Sequence, residues 1–416
     1  MRNIPPERVH ERKPHGRSQG ENVRVSSRIL SMIDAPVDHI NRERMRLESE
    51  GEPIVNLGQA IPDFTPPRVA TEAAIRALRD DPRTHVYTPD PGLPELREAV
   101  ARSLRLRFAA SIQAEEIVIT AGANHAFLLV CSILIEPGDR VGLLSPFFLN
   151  HKMAVEGCGG AAIEVCPDDD FAYSPETMER TIVDHQLRAL VVVNPSNPTG
   201  KVFAREELQA LVDLCRKYEI WLISDEVYGS FVHAPGIMTS LVGLPGAADC
   251  TFTIGSFSKE FGMTGWRLGW VRSPREIVSQ IVKVQDYSII CASRLAQVLA
   301  LAAMEGAPDW AQRHLGAFEK RRRALVSKLE SSGLFRLFAS QGAYFVWLRP
   351  HAEVDSEREV IAIMRRARVC VIPGAFFGTA WRGWFRISYG SQEITALQTA
   401  ARRFIDYFSS SSCQDG

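Results

Sequence analysis

Lys259 stands in the run Ser256-Phe257-Ser258-Lys259-Glu260-Phe261-Gly262-Met263-Thr264-Gly265-Trp266-Arg267. Hydroxyls precede the amine, glycines follow it, and a guanidinium lies beyond the turn. A lysine kept from water beside other cations gives up its proton more readily and becomes a nucleophile. Arg267 suits a phosphate, because its planar fork grips two oxygens at once. The run therefore fits an amine that forms a Schiff base with a phosphate-bearing carbonyl compound.

Other polar residues sit directly after short apolar runs. In open α/β sheets the ligand binds at the carboxyl ends of the strands, so these positions matter. Glu116–Thr120 is followed by Ala121-Gly122-Ala123-Asn124. This is either a plain tight turn or a helix start whose free N–H groups hold a phosphate. Val141–Leu144 is followed by Ser145-Pro146-Phe147-Phe148, aromatics that either enter the core or stack on a flat ring. Ala189–Val193 leads into Asn194-Pro195-Ser196-Asn197-Pro198-Thr199-Gly200. Two Asn-Pro steps make a stiff, specific loop, and the Asn197 amide suits a phenolate-like oxygen. Ile220–Ser224 leads into Asp225-Glu226-Val227-Tyr228. A carboxylate there either caps a helix or keeps a pyridine nitrogen protonated.

The elements that must position these residues follow from periodicity. Further strands are expected at 161–165 and 252–254, and helices at 94–108, 124–134 and 205–218. Fully apolar strands between helices indicate a mostly parallel sheet covered on both faces. A single long helix is expected from Pro274 past Ala292, and another from Trp310 to about Ser331. Antiparallel strands are expected at 342–347 and 384–389, with helices near 356–367 and 391–408. These ranges describe a large domain over 62–324 and a smaller, discontinuous α+β domain from 29–61 with 325–409. Residues 1–28 and 410–416 are expected to be tails, the first disordered.

In this order the motifs resemble the fold type I, class I/II aminotransferases that use pyridoxal 5′-phosphate. The resemblance rests on Asn-Pro-Thr-Gly, Ser-Asp-Glu-Val-Tyr, and Ser-Phe-Ser-Lys followed by Gly-Trp-Arg-Leu-Gly. It implies an α/β fold whose large domain holds a mostly parallel seven-stranded sheet, and a homodimer with shared active sites. It implies Lys259 as Schiff-base lysine and proton shuttle, and Asp225 as partner of the pyridinium nitrogen. Asn197 and Tyr228 resemble donors to the ring's 3-oxygen, and Phe148 the stacking aromatic. Ser256, Arg267 and the amides of Ala123 and Asn124 resemble the phosphate cup. Tyr87 resembles the tyrosine that reaches the neighbouring subunit's phosphate, and Arg386 the arginine that binds the substrate's α-carboxylate. The implied activity moves an α-amino group from an L-amino acid to a 2-oxo acid through pyridoxamine phosphate. On the same cofactor residues a lyase, a cyclase or an oxidase is the alternative.

Two positions depart from the pattern. Asn56–Phe64 resembles the substrate-contacting segment of the kynurenine and glutamine transaminase branch, which commonly has glycine where Ala60 stands. Bacterial aspartate-specific relatives often carry lysine at the position of Asn124. Arg294 lies in a segment that in relatives approaches the partner's site, where it either reads a distal carboxylate or forms a structural ion pair. The expected donor is a neutral or aromatic amino acid, with 2-oxoglutarate or pyruvate as acceptor.

Composition excludes other classes. The 416 residues carry 48 Lys plus Arg against 49 Asp plus Glu, a net charge of −1. That balance argues against non-specific nucleic-acid or anionic-membrane binding. Only about 28 polar residues precede the fold, too few for the DNA-binding module of fused regulators. No apolar run reaches the ~20 residues that span a bilayer. Eight cysteines show no CxxC pair and no metal-type spacing, which points to reduced thiols, no metal and a cytoplasmic protein.

Overall fold

The apolar runs pair into one seven-stranded sheet. In the computed structural model, residues 25–411 are described, apart from 34, 35, 52, 234, 235 and 237. The strands lie in the order 117–120, 269–272, 251–256, 221–225, 187–193, 140–144, 161–165. All neighbours run parallel except Gly269–Arg272, which is antiparallel to both of its partners. Leu187–Val193 is buried at every position but Arg188, as a strand covered on both faces must be. Gly255 and Gly269 are required at the antiparallel insertion. A Cβ on Gly255 would meet the Trp270 ring at 2.2 Å, and one on Gly269 would meet the Ala123 nitrogen at 2.8 Å.

Helices on both faces close the core. Arg68–Asp80 packs on Arg294–Gly306 through Ala70, Ala74, Ala296, Ala300 and Ala303, small residues that let the two backbones approach. Burying each larger side chain, such as Leu299, contributes roughly 1.5–3 kcal/mol.

The single long helix expected beyond Pro274 is in fact two, Val278–Ile289 and Arg294–Gly306. Ile290 takes a left-handed φ of 66°, and the Ser293 hydroxyl then caps the second helix by accepting from the Ala296 N–H. Apolar spacing continues across the break and hides it. The break lets two buried amides converge on one segment. Gln285 donates to the carbonyls of Asp90 and Ile119. Gln297 donates to the Thr88 hydroxyl and accepts from the Leu93 N–H.

The C-terminal part forms a four-stranded antiparallel sheet in the order 372–373, 385–388, 345–350, 335–337. The strand expected from Gly342 begins only at Phe345. Ala343 has a φ of 53°, and the N–H groups of Gln341 and Gly342 both donate to the Gly200 carbonyl. This turn therefore docks on the Asn-Pro loop instead of extending the sheet. Trp347 and Trp384 stack at 5.4 Å in its core. Ile40 and Leu47 of helix Pro36–Ser49, and Ile54 beyond it, join the same core. Val55 pairs with Val369 in parallel. Of the expected tails, residues 1–24 and 412–416 lie outside the described residues, whereas 27–28 open the short helix Ser27–Leu30 and 410–411 belong to the helix Ile394–Ser411.

Among the described residues no helix is long and apolar enough to cross a membrane, and no acidic, His or Cys cluster could hold a metal ion. The seven described cysteines are free thiols.

Candidate active site

A cavity of about 410 Å³ opens at the carboxyl ends of the parallel strands. Ala60, Ala123, Asn124, Phe148, Asn197, Asp225, Tyr228, Ser256, Lys259, Arg267 and Arg386 all line it. Strands 117–120, 187–193, 221–225 and 251–256 each deliver at least one of these residues from the turn at its end.

Lys259 sits in the short helix Phe257–Glu260, which Ser256 caps by accepting from the Ser258 N–H at 3.1 Å. Its amine donates to the Ala60 carbonyl at 2.6 Å. Burial pulls its pKa down to about 8, with Arg386 and Arg267 adding to the shift and Asp225 opposing it. Such an amine is a competent nucleophile and proton carrier near neutral pH.

Asp225 ends its strand with one oxygen accepting from the Val227 N–H at 3.1 Å. The other oxygen lies 3.1 Å from Nε2 of His151. Glu226 turns away instead. Ser224, Ser240 and the Leu241 N–H hold it in the core, where burial raises its pKa to about 7. Asp225 is thus the carboxylate that faces the cavity.

His151 is absent from the sequence-based set. It is 3% exposed and stacks on Phe127 at 4.1 Å, and its Nδ1 has no hydrogen-bond partner. The only signal in the sequence is its position three residues after Phe148. Phe148 lies edge-on to the same imidazole at 5.3 Å.

Arg267 and the helix Ala123–Leu134 meet across Gly122. That residue has a φ of 91°, and a Cβ there would stand 2.8 Å from Nη2 of Arg267. The absent side chain brings a guanidinium against the unbonded N–H groups of a helix start, which is a cradle for a phosphate. Ser256 and Thr264 also line the cavity, and the Thr264 carbonyl accepts from Arg267.

Arg386 is 5% exposed on strand Phe385–Ser388. Nη1 donates to the Asn197 side-chain oxygen at 2.7 Å, and Nη2 to the Gly58 carbonyl at 2.5 Å. The rings of Phe345 and Phe377 flank it at 4.8 and 5.3 Å. Its Nε is buried without a partner, and among the described residues no carboxylate pairs with it. Burial lowers its pKa to about 10. A buried cation held only by neutral oxygens is completed by an anionic ligand. Because Asn197 spends its oxygen on Arg386, its amide N–H groups remain as donors. Tyr228 is buried beside it, its hydroxyl pKa pushed up chiefly by burial.

Two residues stay outside. Tyr87 is 72% exposed and does not line this chain's own cavity. Arg294 opens its helix and does not line the cavity, and its buried Nε has no hydrogen-bond partner.

The amine, the deep carboxylate, the phosphate cradle and the unpaired arginine together fit a flat, phosphate-bearing pyridine aldehyde and an amino acid.

Residues 52–404 match the family described as aminotransferase class I and II. The chain is 31% identical over 387 residues to the probable aspartate/prephenate aminotransferase of Aquifex aeolicus, covering 91% of this chain and 97% of that one. It is 33% identical over 346 residues to aromatic-amino-acid aminotransferase 2 of Thermococcus litoralis, covering 82% and 88%. The structure of Thermus thermophilus aspartate aminotransferase with maleate superposes with a TM-score of 0.85 at 31% identity, covering 92% of this chain and 99% of that one.

Proposed function

The chain belongs to the class I and II aminotransferases, enzymes dependent on pyridoxal 5′-phosphate, and from that premise we propose how its residues divide the work. When bound, the cofactor supplies an electron sink for the amino acid's α-carbon. Lys259 is the amine that carries the cofactor and then moves the proton. With its pKa pulled down to about 8 by burial, its Nζ would serve as the group that takes the α-proton and holds it for return. Asp225, oriented by His151, keeps the ring nitrogen protonated. Asn197 and Tyr228 donate to the ring's 3-oxygen, and Phe148 stacks on the ring. Arg267, Ser256 and the N–H groups of Ala123 and Asn124 bind the phosphate. Arg386 binds the α-carboxylate, and the Ala60 carbonyl receives the Lys259 amine once it is free.

The single observation that carries this reading is Arg386, a buried guanidinium without an anion, opening on the same cavity as a lysine of lowered pKa. The test is a single half-reaction. Amino acid added alone to the cofactor-loaded protein should give one equivalent of pyridoxamine phosphate and one of 2-oxo acid. Release of ammonia or peroxide with continued turnover would favour a lyase or oxidase instead.

The finer reading includes a homodimer in which Tyr87 serves the partner's phosphate; its 72% exposure supports this. The smaller domain is taken as 29–61 with 325–409 and the larger as 62–324, supported by the core that helix Pro36–Ser49 shares with Trp347 and its neighbours. Free thiols support a cytoplasmic setting.

A further inference from the structure

We propose, resting on the transaminase reading above, that Tyr344 is a positioning residue for the proton transfer: by sharing the Ala60 carbonyl with Lys259, its hydroxyl loosens that carbonyl's grip on the amine and leaves the amine ready to move.

Tyr344 is fully buried and does not line the cavity. It reaches the site through one atom. Its hydroxyl donates to the Ala60 carbonyl at 3.2 Å, and the Lys259 amine donates to the same oxygen at 2.6 Å. A carbonyl has two lone pairs, so both donors are served at once. They are not independent, because the hydroxyl brings its own positive hydrogen to the oxygen that a protonated lysine needs. Burial pushes the Tyr344 pKa well above its ordinary range, so the hydroxyl stays protonated and keeps donating. The acceptor is main chain, so no substitution at Ala60 removes it. Tyr344 is the side chain through which the sequence sets its strength.

The phenol cannot turn aside. The rings of Tyr228, Phe231, Phe318 and Phe345 surround it at centroid distances of 5.2 to 5.4 Å. The left-handed turn at Ala343 aims it: the Ala343 N–H donates to the Phe231 carbonyl at 2.7 Å, and the Tyr344 carbonyl accepts from the Tyr389 N–H at 3.1 Å. The segment it holds is pinned as well. Arg321 donates to the Gly390 carbonyl and pairs with Asp63, three residues beyond Ala60. Gly390 packs so closely that a Cβ there would stand 2.8 Å from both the Ile61 carbonyl and Cδ2 of Tyr344. Loss of the hydroxyl therefore leaves acceptor and amine in place and changes only how one oxygen is shared. Lys259 must quit that oxygen each time it takes or returns a proton, so the strength of the contact enters the rate.

Tyr344→Phe keeps every ring contact and removes the hydroxyl alone. Tyr389→Phe is the control, losing an equally buried hydroxyl that faces His233 and the Ala343 carbonyl. In the cofactor-free full chain, the rate of pyridoxal phosphate attachment is followed against pH by absorbance. An unshared oxygen holds the protonated lysine better, so attachment should need a higher pH in Tyr344→Phe. The midpoint should rise by about half a pH unit, a roughly threefold change in proton affinity, which is the scale of one neutral hydrogen bond. It should not move in Tyr389→Phe. In the loaded enzyme, single turnovers of alanine, aspartate and phenylalanine should be about threefold slower at saturation, with unchanged half-saturating concentrations, because Tyr344 does not touch the substrate. An unmoved or lowered midpoint in Tyr344→Phe overturns the proposal. An equal rise in Tyr389→Phe also overturns it, as a general effect of packing. If the wild-type protein converts no amino acid to its 2-oxo acid, the transaminase reading fails and takes the proton-transfer role with it. An unmoved midpoint beside a working wild-type half-reaction refutes Tyr344 alone.

Discussion

The Lys259 amine donates to the Ala60 carbonyl at 2.6 Å, across 199 residues of chain. The same carbonyl accepts from the Tyr344 hydroxyl at 3.2 Å. The reactive amine is thus held by backbone from the N-terminal segment and shares its acceptor with the C-terminal part. The contact uses the main chain of Ala60, so the methyl that distinguishes it from glycine leaves this bond intact.

Replacing Lys259 should remove both cofactor attachment and proton transfer. Lys259→Ala is expected to lose at least about 10³-fold in turnover, the upper part of what one acid-base group contributes. The absorbance of the lysine-bound cofactor should vanish with it. Stopped-flow assays and a visible spectrum check both, and near-normal turnover would refute the assignment.

The lowered pKa of Lys259 predicts a pH dependence in the cofactor-free protein. Its amine titrates near 8 when folded against an ordinary 10.5. The rate of cofactor attachment should therefore rise with a midpoint near pH 8, not near 10. Between those values the unfolded chain binds more protons than the folded one, so this group's contribution to stability increases with pH across the window. Below pH 8 both states hold the proton, and the cost of the buried charge is present in full. Denaturant titrations at pH 7.5 and 10, with Lys259→Met as reference, measure the difference.

His151 acts on the cofactor only through Asp225. Removing a hydrogen bond to a charged group costs about 1.5–3 kcal/mol, or roughly 10- to 100-fold in a rate that depends on it. His151→Leu should lower kcat by that amount with little change in KM. It should also shift the pH at which the bound cofactor's absorbance changes, which a loss of packing alone would not do.

Arg386→Lys keeps the charge but loses the fork. The kcat/KM for an amino acid should fall on the order of a hundredfold, about 3 kcal/mol, as for other broken buried charge pairs. Steady-state kinetics on a range of amino acids would show a uniform loss, since every one presents the same α-carboxylate.

Much of this site was legible in the sequence because its residues stand at the ends of strands, and continuous apolar runs mark those ends. Asp225 follows such a run directly, and Asn197 and Ser256 follow theirs within four residues. His151 was not legible, because no pattern links a histidine on one helix to a carboxylate 74 residues away. The turn at Ala343 was hidden by residues that favour strands, and only docking on Gly200 diverts it. Gly269–Arg272 escaped notice as a strand because a short run behind a glycine-rich turn carries no alternation. Which side chain the cavity accepts was likewise obscure, since its lining residues Val37, Ile61, Ile372 and Phe376 are scattered over the chain and only folding gathers them.

The break between Ile289 and Arg294 also limits how chain length can drift. One residue inserted there would have to be absorbed between two fixed grips, Gln285 on the first helix and Gln297 on the second. Failing that, Gln297 would swing off Thr88 and Leu93 while Gln285 kept its hold on Asp90. The segment carrying Tyr87 would then be gripped at one end only. A short surface loop that looks permissive to insertion is therefore expected to tolerate substitutions far better than a change in its number of residues.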